Sequence, residues 1–406
     1  MDQSRPPRVC ITTVDPSGDA MAAGLAEALR RRGPVELLGA GGAAMRRAGV
    51  ELLCETTNWA SLGAVGLFSV ALRALPHGPG LARAICARQP DIHIPIDSGR
   101  LNIPLARFVK RRLGLRVLYY VPPRCWSRRW RVERLAQVAD YVAAPFPWNL
   151  KGDDGSGRVR FVGHPAMDLS LQLPPQTEVR RELGLIADQL VLAALPGSRS
   201  FEIGINVPML VKTICLLRAD LPGLQVVFSR ASGAPAKGFE RRLEALGGEG
   251  VRVVEGTAKA LRAADVALVC FGTATLEACA VGCPMIGFYR GTRLMALEYI
   301  VHHPPTPYYA LPNIVADELV VPEVEHHGVS PERLAQEAGR LLRDAEAREA
   351  LRGRLGEVAQ ALGGPGASDR AAEAVLDALS DQWHQAGKTA APSAAVERAM
   401  VGTAAP

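Results

Sequence analysis

The sequence predicts two α/β domains in tandem, each an open parallel sheet with helices on both faces. Short apolar, β-branched runs alternate with longer segments of helical period along most of the chain. That alternation breaks at FVGHPAMD, residues 161–168, and then resumes as a second series. The length of 406 residues suits two domains at roughly 100–200 residues each.

Taken in order, the first-half strands are expected at Val9–Val14, Val35–Leu38, Ile92–Ile96, Val117–Val121 and Tyr141–Ala143, with helices at Asp19–Arg32 and Leu105–Leu113. The second series runs Val191–Leu195, Leu224–Phe228, Val251–Val254, Val266–Cys270 and Met285–Phe288. After Ser330 the chain is charged and helical as far as Trp383. The expected division is therefore residues 1–165, residues 166–345, C-terminal helices over 346–384 that pack back on the first domain or swap in a dimer, and a disordered tail over 385–406.

Composition narrows the function classes. No uncharged apolar run reaches the roughly 18 residues of a membrane-spanning helix. The eight cysteines lack a Cys-x-x-Cys pair and sit in apolar surroundings, as expected of reduced cytosolic thiols. The N-terminal apolar run is too short for a signal peptide, so a cytoplasmic protein is expected. The net charge of +6 conceals a split: residues 1–165 carry 24 Lys+Arg against 13 Asp+Glu, whereas the remainder carries 23 against 28. Such a basic half suits an anionic partner or a solvated basic face.

Ligands of open parallel sheets bind at the carboxyl ends of strands, which directs attention to the loops there. The first is VDPSGD, where Ser17, Gly18 and Asp19 suit either a cleft or a helix cap with a turn glycine. GAGG, residues 39–42, lacks the spacing of a dinucleotide fingerprint. In IPIDSGRLN, Asp97 ends an apolar strand, half-solvated and suited to base chemistry, with a capping role as the alternative. The next strand ends in YYVPPRCWSRRWRVER, where Trp126 lies among Arg124, Arg128, Arg129, Arg131 and Arg134, a mixture suited to phosphates, bases or lipid headgroups.

In the second half, LPGSRSFEI combines Gly197 with Arg199 ahead of a helix. CFGTATLEA repeats the arrangement, with Gly272 and Thr273 opening a helix and Glu277 one turn in, placed to take ribose hydroxyls. Together they suggest a nucleoside-diphosphate site, while the absence of Gly-Lys-Ser/Thr excludes a P-loop. The adjacent pairs His302–His303 and His326–His327 lack ligand spacing, and no metal or cofactor is expected. His164, in Gly-His-Pro, is weighed as functional against a structural turn role.

At these loops the chain resembles the lipid-A-disaccharide synthase family. The matching pieces are PSGD (16–19), GAGG with Met45 and Gly49, Leu62–Gly66, Asp97 with Asn102, YYVPP with Trp126, FVGHP (161–165), LPGSR with Glu202, GTATLE (272–277), GCPM (282–285), Tyr289–Arg290, LPN (311–313) and VVPE (320–323), in the family's order over about residues 8–380. The resemblance implies a GT-B type glycosyltransferase fold, two Rossmann-like domains facing across a cleft. It implies transfer of 2,3-diacylglucosamine from its UDP derivative to 2,3-diacylglucosamine 1-phosphate, with inversion and without a metal. In that reading Asp97 is the general base. Gly197, Ser198, Arg199, Glu202, Gly272, Thr273, Ala274, Thr275, Glu277 and Asn313 surround the nucleotide donor, while Ser17, Gly18, Asp19, Asn102, Trp126, His164 and Arg290 lie on the cleft or acceptor side. Family members are also peripheral on the cytoplasmic face of the inner membrane and can exchange C-terminal segments in a homodimer.

The departures lie in the acceptor-side half. Asp15 and Pro16 replace the family's Glu and Ala, Arg100 stands where a second acid is usual, and Pro122, Arg124 and Arg128 replace two serines and a tryptophan. Two other readings are kept. A UDP-N-acetylglucosamine 2-epimerase-like enzyme would use a similar UDP site and Gly-His-Pro turn. A non-catalytic basic protein bound to membrane or nucleic acid would exploit the basic half, but no nucleic-acid module is evident and no such partner is expected. Leu67–Leu81 is a candidate amphipathic lipid contact, interrupted by Pro76 and Pro79.

Overall fold

The structure is a computed structural model that describes residues 5–56, 79–230, 236–245, 247–248, 250–290, 307–325, 328–386 and 396. It forms two compact units, Met1–Pro165 with Ala361–Val401, and Ala166–Gln360.

The first unit holds seven strands: β1 (Arg8–Thr12), β2 (Glu36–Gly41), β3 (Glu51–Glu55), β4 (Ile92–Pro95), β5 (Arg116–Tyr120), β6 (Tyr141–Ala144) and β7 (Val159–Phe161). They pair in parallel in the order β3-β2-β1-β4-β5-β6-β7. The order reverses between β1 and β4, so the loops after those two strands open side by side. Covering one face, helix 79–88 and helix Gly99–Leu113 enclose Cys10, Leu38, Ala40, Leu81, Ile85, Leu105 and Val109.

On the other face, helix Pro16–Arg32 packs against Ala367–Leu379, a helix that returns from the far end of the chain. Its small residues Ala371, Ala372, Ala374 and Ala378 are buried, and Gly24 gives the approach, since a Cβ there would lie 2.9 Å from Ser368 Oγ. Arg31 and Arg32 both reach Asp369. Deeper in, Arg160 of β7 pairs with Asp377 at 2.6 Å, donates to the Trp383 carbonyl at 2.7 Å and lies 4.2 Å from the Trp383 ring centroid.

The second unit has six parallel strands: β8 (Val191–Leu195), β9 (Gln225–Arg230), β10 (Arg252–Glu255), β11 (Val266–Cys270), β12 (Met285–Tyr289) and β13 (Glu323–Glu325). Their order is β10-β9-β8-β11-β12-β13, with the reversal between β8 and β11. Both of those strands are buried at every residue, as their unbroken apolar runs require. A largely buried Arg180, paired with Asp265 at 2.7 Å, ties helix Gln176–Glu182 to the start of β11.

Several expectations need correcting. Strands β3, β7 and β13 are not in the sequence-based set: β3 is a half-exposed edge strand, and β7 and β13 have only three residues each, with charged residues among them. Helix Gly99–Leu113 begins before Pro104 rather than after it, because a proline near the start interrupts few intrahelical bonds. The helices expected as one block divide: Ala345–Ala361 lies with the second unit, except for its last residue, and Ala367–Leu379 with the first. Nearly all of the expected tail, and most of Leu67–Leu81, lies outside the described residues.

Replacing Arg160 with Met leaves the half-buried Asp377 without its cation and should cost about 1–2 kcal/mol of stability, read as a lower urea midpoint. Arg160→Met combined with Asp377→Asn should recover much of that loss.

Candidate active site

In the first unit the backbone turns sharply where β4 and β5 end. Asp97, Ser98, Val121 and Arg124 have φ of 47°, 43°, 49° and 60°, four of the seven non-glycine residues in the left-handed region among those described. Such residues cost on the order of 1–3 kcal/mol each and persist only where surrounding bonds hold them. Here the holding group is Asn102, fully buried, whose Nδ2 donates to the carbonyls of Thr12 (3.1 Å), Ile96 (2.9 Å) and Asp97 (3.2 Å). Its Oδ1 accepts from the Thr12 hydroxyl at 2.8 Å, and that hydroxyl accepts in turn from His93 Nε2 at 2.9 Å. The Tyr119 hydroxyl donates to the Asp97 carbonyl at 2.8 Å.

The Asp97 carboxyl is left half-buried at the end of the sheet. Its charge adds to burial in raising the Tyr119 hydroxyl and the Cys125 thiol above their ordinary ranges. Beside it, Ser98 Oγ donates to Asp15 Oδ2 at 2.8 Å, which couples the loops after β1 and β4. Gly99 lets Pro123 approach, since a Cβ would lie 2.6 Å from its Cγ. The Cys125 carbonyl accepts from Trp148 Nε1 (2.9 Å) and Asn149 Nδ2 (2.8 Å), and the Arg128 guanidinium lies 4.8 Å from the Trp148 ring centroid. Trp126 is half-buried in this turn, and Arg100 and Arg124 are exposed.

Other first-unit candidates turn inward. Asp19 is buried and accepts the amides of Gly42 (2.7 Å), Ala44 (2.9 Å) and Met45 (3.2 Å), so it caps the short helix Ala43–Arg47 rather than its own helix. Gly18 is required by contact, because a Cβ would lie 2.0 Å from Thr13 Oγ1. Ser17 is half-buried in the first turn of its helix. His164 is buried against Phe146, with ring centroids 5.5 Å apart, and its backbone amide donates to the Leu362 carbonyl.

In the second unit, Gly197 (φ 104°) turns the loop after β8. The amides of Ser198 and Arg199 both donate to Glu202 Oε2 at 3.0 Å, and the Arg199 guanidinium meets Glu202 Oε1 at 2.9 Å. The amides expected to cradle phosphate here are thus engaged by a buried carboxylate, while the Arg199 side chain stays largely exposed. After β11, Thr275 turns its hydroxyl and amide back to the Gly272 carbonyl. The amides of Gly272, Thr273 and Ala274 have no acceptor among the described residues and lie at least partly exposed at the start of helix Thr273–Ala280. The Glu277 carboxyl, raised by burial and partly restored by its hydrogen bond from the Thr257 hydroxyl, lies one turn in.

Asn313 is fully buried. Its Nδ2 donates to the Val321 carbonyl and Glu323, and its Oδ1 accepts from the amides of Val320 and Val321, so it holds a loop and has no group left for a ligand. Glu323 also accepts the amides of Tyr309 and Ala310. Arg290 is exposed just past β12. Thr257, Glu323 and Asp15 were absent from the sequence-based set. Thr257 follows β10 by two residues, the same strand-end rule that found Asp97.

A family model for lipid-A-disaccharide synthetase matches residues 9–374. The chain belongs to that family. The lipid-A-disaccharide synthase of Myxococcus xanthus (strain DK1622) is 36% identical over 385 residues, covering 93% of this chain and 98% of the relative. That of Pseudomonas aeruginosa PAO1 is 33% identical over 343 residues, 83% of this chain and 90% of the relative. Among solved structures, a calicheamicin glycosyltransferase has a TM-score of 0.58 at 15% identity, covering 93% and 99% of the two chains. The UDP-GlcNAc 2-epimerase of Methanocaldococcus jannaschii, in complex with UDP-GlcNAc and UDP, has a TM-score of 0.56 at 13% identity, covering 91% and 99%. These two likenesses show the GT-B type fold alone; the epimerase reading has no support beyond them, whereas the sequence relatives are synthases.

Burial pushes both His93 and His164 down to about 3. Unfolded, each titrates near its ordinary 6.5, so below that pH the unfolded chain binds protons that the folded one does not. Stability is complete above about pH 6.5 and falls toward pH 3, by about 2 kcal/mol per histidine between pH 7 and pH 5. Denaturant titrations at the two pH values should show this loss, and His164→Gln should remove about half of it.

Proposed function

We propose that the chain transfers 2,3-diacylglucosamine from its UDP derivative to 2,3-diacylglucosamine 1-phosphate, with Asp97 as the general base. The observation that carries this reading is Asp97 itself: a half-buried carboxylate at the switch point of the first sheet, held in a left-handed conformation by Asn102 and Tyr119. The acceptor hydroxyl loses its proton to Asp97 as its oxygen bonds to the anomeric carbon. The bond from that carbon to the phosphate oxygen breaks on the opposite face, its electron pair leaving with UDP, which inverts the centre.

Arg199 and the open amides of Gly272, Thr273 and Ala274 meet the charge that develops on the departing diphosphate. Glu277 serves the ribose hydroxyls, and Glu202 acts indirectly, by orienting Arg199. This reading modifies the sequence-based one: Ser198, Thr275 and Asn313 shape the donor loops rather than touch the nucleotide.

We further propose that the first unit meets an anionic membrane surface through helix Gly99–Leu113. Its outer side carries Arg107, Phe108, Arg111 and Arg112, with Phe108 40% exposed and Arg112 5.9 Å from its ring centroid. The helix has no acidic residue, and Arg107, Arg111 and Arg112 make no ion pair among the described residues. Cations beside a protruding aromatic suit the headgroup boundary. No helix among the described residues is long and apolar enough to cross a membrane.

Asp97→Asn should lower kcat by about 100-fold or more while leaving UDP affinity unchanged, measured by product mass spectrometry and calorimetry. Equal turnover would remove Asp97 as the base. In sedimentation with vesicles containing phosphatidylglycerol, Arg107→Glu with Arg111→Glu should abolish most binding, and Phe108→Ser should weaken it; unchanged sedimentation would move the contact elsewhere.

A further inference from the structure

At the carboxyl ends of β11 and β12 three aromatic rings lie in nearly parallel planes. Phe271 is central, 6.5 Å from Tyr289 at an interplanar angle of 6° and 5.9 Å from Tyr309 at 3°, centroid to centroid. The offset stack is a built feature. Gly287 makes room for Phe271, because a Cβ there would lie 2.6 Å from its ring, and Glu323 holds the Tyr309 backbone through that residue's amide. All three rings are half-buried, so part of the platform faces solvent.

Its position gives it a direction. Phe271 immediately precedes Gly272, whose amide and those of Thr273 and Ala274 are open to a diphosphate. Glu277 is bonded to Thr257, which follows β10, whereas Tyr289 ends β12 and Tyr309 is held from β13. In the order β10-β9-β8-β11-β12-β13 these lie on opposite sides of β11. A nucleoside diphosphate seated on the open amides, with its ribose turned toward Glu277, carries its other substituent toward the rings.

We propose that the Tyr289–Phe271–Tyr309 stack is a specificity platform for the acylated sugar of the donor, rather than for its base. This rests on the donor reading given above. Flat rings pack well against the apolar face of a hexose and against acyl methylenes, and they offer a uridine diphosphate without its sugar nothing extra.

The test compares Phe271→Ser and Tyr309→Leu with the unaltered full-length protein, each checked for an unchanged melting temperature. Tyr309→Leu keeps apolar bulk on the turn held by Glu323 and guards against a mere folding loss in the other variant. KM for UDP-2,3-diacylglucosamine should rise by about tenfold in both, while the Kd for UDP, by calorimetry, changes by less than about twofold. A parallel weakening of UDP would assign the stack to the base and overturn the proposal, as would an unchanged KM. Failure of the unaltered protein to bind UDP would instead overturn the donor reading together with the platform.

Discussion

Asn102 is the group on which the acceptor half of the molecule depends. Where the chain turns left-handed at Asp97 and Ser98, the carbonyls of Ile96 and Asp97 leave the strand ladder, while that of Thr12 keeps the Ile96 amide and has a second lone pair to fill. A buried carbonyl without a donor costs on the order of 1–3 kcal/mol, comparable to the backbone strain itself. One amide nitrogen answers the carbonyls of Thr12, Ile96 and Asp97. Its oxygen is fixed in turn by Thr12, and Thr12 by a neutral His93. The backbone that carries the Asp97 carboxylate is therefore fixed by a chain of buried side chains, with His93 as the neutral donor at its far end.

The second unit solves the same problem with the opposite polarity. Here surplus backbone amides need acceptors, and carboxylates supply them: Glu202 for Ser198 and Arg199, Glu323 for Tyr309 and Ala310. Each carboxylate also removes amides from use by a phosphate. The loop after β8 consequently offers a side-chain cation, Arg199, oriented by Glu202, while the loop after β11 keeps fixed backbone donors. A leaving diphosphate needs both kinds of partner, because backbone dipoles set position and a full charge balances charge.

What the sequence made legible follows from range. Strands β8 and β11 are unbroken apolar runs and could be read directly, whereas β3, β7 and β13 are short or half-exposed and acquire their pairing only from neighbours distant in the chain. Strand ends pointed to Asp97, Gly197 and Gly272 because the rule that places ligands there is local. The roles of Asn102, Asp19 and Asn313 were not legible, since each is defined by partners it finds through the fold. Thr12 stands 90 residues from Asn102, and the amides that Asp19 accepts begin 23 residues on. A polar residue in a loop motif looks the same from sequence whether it faces a ligand or fastens the loop; burial separates the two.

Helix Ala367–Leu379 has a consequence in time as well as in space. The first unit closes one face of its sheet with residues made after the whole of Ala166–Gln360 has been synthesised. On the ribosome, residues 1–165 emerge with all seven strands of the first sheet, but with the surface of helix Pro16–Arg32 that Ala367–Leu379 covers still open. The apolar face against which that helix packs thus stays uncovered for the time needed to make about two hundred more residues, some tens of seconds. That one returning helix sets when the first unit can close.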